Sequence, residues 1–170
     1  DIKTVMNMGG APAGYCGDPA GGNQNCTSCH TGSSATNVTD WITSTVPVAG
    51  YVPGNTYQLT ATISSSGHSR FGFQVSPQNA GGTLMGTMAT SNADAQVISS
   101  GKYITHTSAG SSGTNSKSWY FNWTAPAKNS GTVTFHGAFN ATNSSNTSDG
   151  DDIYLSKLTV SENTSTVGFA

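Results

Sequence analysis

The sequence predicts an all-β protein, an antiparallel β-sandwich with a Gly/Pro-rich loop at its N-terminal end. Three observations predict it. Several segments alternate apolar and polar residues with a period of two, as a strand buried on one face requires. Gly, Ser, Asn and Pro clusters punctuate those segments at short intervals. No stretch of ten or more residues has helical periodicity. Short strands with turns at this spacing pack as two sheets, each burying one face.

The first 35 residues stand apart from the rest. GGAPAGYCGDPAGGNQ has no period of two or 3.6, so it reads as loop, with turns at Gly-Asp-Pro and Gly-Gly. So long a loop is uncommon in a compact domain unless something organises it, and a covalently held cofactor would do so. Residues 1–50 are therefore read as an N-terminal extension and attachment loop, and 51–170 as the sandwich, one structural domain overall.

In the sandwich, TYQLTATI places Tyr57, Leu59, Ala61 and Ile63 on one face and Thr56, Gln58, Thr60 and Thr62 on the other. RFGFQVSP repeats this with Phe71, Phe73 and Val75 and stops at Pro77. KSWYFNWTAP aligns Trp119, Phe121 and Trp123, and Ala125-Pro126 closes it. GTVTFHGAFN aligns Val133, Phe135, Gly137 and Phe139. DIYLSKLTV carries Ile153, Leu155, Leu158 and Val160, and the change of phase between the leucines predicts a bulge. Weaker strands are expected in GTLMGTMA, AQVIS and KYITH.

Composition narrows the function. Charged residues are 8% and the net charge is −2, so Ser, Thr, Asn, Gln and Gly must cover most of the surface. Six scattered Lys and Arg residues form no patch able to neutralise several phosphates, which excludes nucleic acid as a partner class. No apolar run approaches the about 20 residues that cross a bilayer, and DIKTVMNMGGAPAG has no signal-peptide core. Sequons stand at Asn25, Asn37, Asn122, Asn140, Asn143, Asn146 and Asn163, and the charge-poor surface is that of a secreted protein. The expected location is extracellular or the cell surface, with the periplasm as the alternative, the chain being the mature form after signal-peptide removal.

The chemistry-bearing motif is Cys26-Thr27-Ser28-Cys29-His30. Cys-x-x-Cys-His suits covalent haem attachment: two thiols add across two vinyl groups, and the histidine behind them ligates iron. Zinc would need a second ligand pair, whereas only Cys16 remains and His68, His106 and His136 are isolated. A thioredoxin-type pair belongs at a helix start in an α/β chain, which this is not. A surface disulfide is the bland rival. Thr31 follows the histidine, and Gly32 lets the chain turn away from a ring.

A second axial ligand has several candidates: His68, His106 and His136, and Met6, Met8, Met85 and Met88. His68 lies in the turn SSSGHSR and reads as a solvated residue. His136 points away from the core face, either to solvent or towards a cofactor packed outside the sheet. His106 ends the KYITH strand beside a Gly/Ser loop that can close over a cofactor. Met85 and Met88 read as sheet-face or core residues.

The order GAPAGY, CTSCHTG, YVPGNTYQLT, SRFGFQV, YITHT, WYFNWTAP, GTVTF and GDDIY resembles the reelin-like (Reeler) domains of bacterial surface proteins, over Gly9 to Val160. In their anchor-associated branch an N-terminal CxxCH is common. The resemblance implies an immunoglobulin-like sandwich carrying one c-type haem, with the histidine of YITHT, His106, as the distal ligand. His136 stands where the pattern favours an aromatic, and Cys16 departs from the pattern, as a free thiol or a bridge to another chain.

The reading that follows is an extracellular monohaem c-type cytochrome acting in electron transfer. Cys26, Cys29, His30 and His106 form its haem site, His30 and His106 ligate iron, and other redox proteins or copies of itself are the partners. It is an electron carrier rather than an enzyme. A second reading is a non-redox structural or adhesive fibre subunit, in which DIKTVMNM adds as a strand to a neighbouring sheet; the two readings combine in a haem-bearing filament. A third is a haem peroxidase or gas-binding protein with an open sixth position. A hydrolase has no G-x-S-x-G to support it. SDGDD at 148–152 lacks the order of a calcium loop and reads as solvated.

Overall fold

The computed structural model describes residues 8–30, 34–142 and 150–165. Two sheets form an immunoglobulin-like antiparallel sandwich. Ten strands build it: β1 (Ala35–Asn37), β2 (Ile42–Ser44), β3 (Thr56–Ser64), β4 (Phe71–Gln78), β5 (Thr87–Thr90), β6 (Ala95–Ile98), β7 (Tyr103–His106), β8 (Ser116–Thr124), β9 (Val133–Ala141) and β10 (Asp152–Val160). One sheet runs β1-β10-β9-β4-β7-β6, the other β2-β3-β8-β5. Pairing is antiparallel except between β1 and β10.

The alternation read from the sequence sets the register. In the smaller sheet Leu59 pairs with Phe121 and Ala61 with Trp119, and all four are fully buried. From the larger sheet Phe73, Val75, Ile104, Val133, Phe135 and Phe139 close the core. The Phe73 and Trp119 rings stack across the sandwich with centroids 4.3 Å apart. Buried tryptophans need partners for their N–H groups: Trp119 Nε1 donates to the Gly110 carbonyl and Trp123 Nε1 to that of Met85, each at 2.8 Å. Each large side chain so placed contributes about 1.5–3 kcal/mol.

Three features differ from the sequence expectation. β10 carries no bulge: it pairs without a break from Asp152↔Ala141 to Val160↔Val133. Leu158 packs on the main core, while Leu155 faces the other way into a second cluster with Cys16, Tyr103 and Ala138. The phase change is a change of face, and both faces are covered. Within GTLMGTMA, strand begins only at Thr87, because Gly86 adopts φ +80° and a Cβ there would lie 2.3 Å from Thr124 O. Residues 35–50 supply β1 and β2, one to each sheet.

All of β4 is buried, including Gln74, Ser76 and Gln78 on the face opposite the core. The N-terminal loop covers that face, and side chains of the sheet satisfy its backbone. Tyr15 N–H donates to Gln74 Oε1 at 2.9 Å, Ala20 N–H to Gln78 Oε1 at 3.2 Å and Ala11 N–H to Thr105 Oγ1 at 3.0 Å. Gln74 Nε2 returns a bond to the Pro12 carbonyl at 2.7 Å, and Gln96 Nε2 donates to that of Gly9. The loop is thus a third layer, docked through polar side chains rather than an apolar stripe. That leaves a space between loop and sheet.

Candidate functional site

Asp18 anchors the loop beside that space. Its fully buried carboxylate accepts from Tyr103 Oη at 2.6 Å, Gln78 Nε2 at 2.7 Å, Gly21 N at 2.9 Å and Cys16 Sγ at 3.0 Å. Burial acts to raise its pKa, but the hydrogen bonds from Tyr103, Cys16 and Gln78 outweigh it and hold the group below the usual aspartate value. Burial, reinforced by the Asp18 charge, pushes the Cys16 thiol well above its ordinary pKa. Cys16 is 2% exposed, so the expected bridge to another chain is not open to it. It is a buried thiol holding Asp18 in place.

Beyond this anchor the loop forms a 3₁₀ turn, Cys26–Ser28. Asn25 caps it, accepting from Thr27 N–H at 2.9 Å. His30 N–H then donates to the Cys26 carbonyl at 2.8 Å. One helical turn at this spacing brings Cys26, Cys29 and His30 together.

These three side chains line a cavity of about 430 Å³ between the loop and the larger sheet, and His106 lines the same cavity. Its apolar walls come from Met8, Ala11, Pro12, Phe71 and Phe73, its polar ones from Ser69, Arg70, Ser111, Asn140 and Thr142. A volume in this range suits a small-molecule or cofactor site.

His30 is held from β9 and β10. Its Nδ1 lies 2.7 Å from Oδ2 of Asp151, whose side chain is wholly buried, though the approach is off the ideal hydrogen-bond direction. Its Nε2 lies 3.3 Å from Asn140 Nδ2. With the proton on Nδ1 facing the carboxylate, Nε2 is the basic nitrogen, the arrangement that orients metal-binding histidines. Phe73 N–H donates to His106 Nδ1 at 3.1 Å, and the Phe73 carbonyl lies 3.4 Å from the same nitrogen. That bond places the ring proton on Nε2, so ligation through Nε2 would require the proton to move to Nδ1, facing the carbonyl. Gly72 makes room for this ring, since a Cβ there would fall 2.6 Å from His106 Cε1.

The other axial candidates lie elsewhere, apart from Met8. His68 sits in its turn, with Nδ1 3.0 Å from Ser65 Oγ and Nε2 3.6 Å from Asp152 Oδ2. His136 is half-buried on the loop-covered face, its pKa lowered chiefly by burial, and does not line the cavity. Met85 and Met88 belong to the main core. Met8 lines the cavity, 44% exposed. Met6, Thr31, Gly32 and the Ser148-Asp149 start of SDGDD lie outside the described residues, as do residues 1–7 of the DIKTVMNM segment expected to add as a strand.

The residues fit a covalently attached haem in three respects. Burial pushes the Cys26 thiol up to about 12, the opposite of the acidic thiol that a redox disulfide motif uses. All three cysteines are free thiols. Asn140 Oδ1 and Thr142 Oγ1, both on the cavity wall, are buried polar atoms without a hydrogen-bond partner, which a ligand would supply. Among the described residues no group of three His, Cys, Asp or Glu side chains is arranged to hold a bare metal ion.

Sequence reasoning missed Asp151, Arg70, Asn140 and Thr142. Asp151 lay in an acidic run read as solvated, and Asn140 was noted only as one of the sequons. Asn140 instead lines the cavity.

Among solved structures the chain is similar to the Reelin-N domain of F-spondin, with 16% identity, a TM-score of 0.58, and 81% of this chain and 94% of that chain covered. The human F-spondin reeler domain is similar at 16% identity and TM-score 0.54, over 78% of this chain and 95% of that chain. Self-complemented MyfA, the major subunit of Myf fimbriae from Yersinia enterocolitica, aligns at 16% identity over 70% of this chain and 98% of its own; its TM-score of 0.36 is too low to bear on assembly. No protein-family model matches the chain, and no curated protein matches it. The protein therefore has a Reeler-like β-sandwich fold. The likeness is one of fold and does not extend to the CxxCH motif or a bound group. Among the described residues no helix is long and apolar enough to cross a membrane.

Proposed function

We propose that the protein is an extracellular monohaem c-type cytochrome that carries electrons. The observation that carries this reading is the meeting of Cys26, Cys29, His30 and His106 on one cavity. The sequence marks the first three as an attachment motif, and His106 arrives from a different strand. When bound, a haem supplies a one-electron couple at its iron. Cys26 and Cys29 would tether it, and His30 and His106 would offer imidazole nitrogens to its iron. Asp151, 2.7 Å from Nδ1, would orient the His30 ring. The N-terminal loop, through Ala11 and Pro12, would cover part of the site, and burial helps set the potential along with the ligands. Redox partners, or neighbouring copies in a filament, would exchange electrons with it.

A second reading, a surface or fibre subunit without redox chemistry, is favoured by the Reeler-like fold, since the spondin likeness supports a β-sandwich module and is silent on electrons. A reduced-minus-oxidised spectrum separates the two. A sharp c-type α-band with a reversible potentiometric titration is expected of the cytochrome. A protein without visible bands that forms fibres in electron micrographs would be the structural subunit.

A further inference from the structure

The cavity wall joins two chemistries, and its polar edge has a partner missing. Arg70 immediately precedes β4 and Thr142 immediately follows β9, and Thr142 N–H donates to the Arg70 carbonyl at 3.0 Å. Arg70 Nη1 donates to Ser111 Oγ at 3.2 Å. These three residues are therefore one cluster, and each lines the cavity. Arg70 is the one Lys or Arg among the described lining residues, and no Asp or Glu is among them. A guanidinium has five N–H donors in a planar fork suited to a carboxylate. Beside it, the buried Thr142 hydroxyl has no partner. A buried hydroxyl left so costs about 1–3 kcal/mol, which an acceptor on a ligand would relieve.

We propose that Arg70 and Thr142 form a carboxylate-binding subsite that would take an acidic side arm of the haem. This rests on the cytochrome reading above. In a haem the two vinyl-derived links and the two carboxylate arms lie on opposite edges of the ring. Here the cysteines enter from the N-terminal loop, and Arg70 and Thr142 from the ends of β4 and β9. The apolar walls from the loop, Met8, Ala11 and Pro12 among them, suit the ring between. A charge-assisted bond to Arg70 and a hydroxyl bond from Thr142 would hold one arm on two donors.

The test is resonance Raman spectroscopy of the full chain, matured in cells that attach haem, as wild type, Arg70→Gln, Arg70→Lys and Thr142→Val. Bending bands of the carboxylate arms report their hydrogen bonds directly. The expected result is a shift to lower frequency in Arg70→Gln and in Thr142→Val, with Arg70→Lys between. Thr142→Val preserves shape, so a shift there is not a folding effect. Unchanged bands in both haem-loaded variants would overturn the subsite and leave the cytochrome reading standing. A wild type without an α-band would overturn both.

Discussion

The His106 imidazole lies across Gly72: a Cβ at that glycine would fall 2.6 Å from Cε1, 3.1 Å from Nδ1 and 3.2 Å from Nε2. The ring occupies the space that a side chain at residue 72 would take. Gly72→Ala is expected to force His106 aside at about 1–3 kcal/mol, the usual cost of overpacking. In the haem-loaded protein a low-spin spectrum should turn partly high-spin. A native stability curve with an unchanged spectrum would show that His106 is not held as described.

Asp151 should matter through His30. Asp151→Asn keeps the shape and removes the negative charge 2.7 Å from Nδ1. Ferric iron loses stabilisation when its histidine becomes less basic, so the midpoint potential should rise. Potentiometry on the loaded variant checks this, and an unchanged or lower potential argues against the contact.

The Asp18 anchor predicts a dependence on pH. Its folded pKa is depressed, so the unfolded chain binds the proton more readily. The stabilisation is full above the ordinary aspartate value of about 4 and is lost as pH falls through the lower folded value. Wild type should therefore lose more stability than Asp18→Asn between pH 7 and pH 3 in thermal melts. At pH 7 the variant should be less stable by about 1–3 kcal/mol, since donors that now meet the carboxylate would face an amide.

The core makes a plainer prediction. Trp119→Ala removes a fully buried ring stacked on Phe73 and should cost about 3–5 kcal/mol in chemical denaturation. Tyr120→Ala, on the outer face at 42% exposure, should change stability by no more than about 0.5 kcal/mol.

The strands legible in the sequence were those with a long two-residue period: β3 and β8, each with one wetter face, and β9, whose apolar side still alternates cleanly. β1 and β2 are three residues each, ATN and ITS, too short for a period to register. In β4 and β10 both faces are covered, so alternation misleads: Gln74 and Gln78 look solvent-facing and are buried under the loop, and Leu155 looks out of phase while facing a second cluster. The candidate site divides along the same line. Cys26, Cys29 and His30 are adjacent in sequence, and a local motif names them. Asn140, Thr142 and Arg70 reach the cavity, and Asp151 reaches His30, only through strand pairing, and nothing in their local sequence marks them.

The central claim is that Cys26 and Cys29 hold a haem. Mass spectrometry of the proteolytic peptide containing Cys26–His30, from protein matured in cells that attach haem to CxxCH, tests it most directly. A peptide carrying one haem through two thioether bonds is the predicted result. A peptide with two free thiols, or with a disulfide between them, would contradict it.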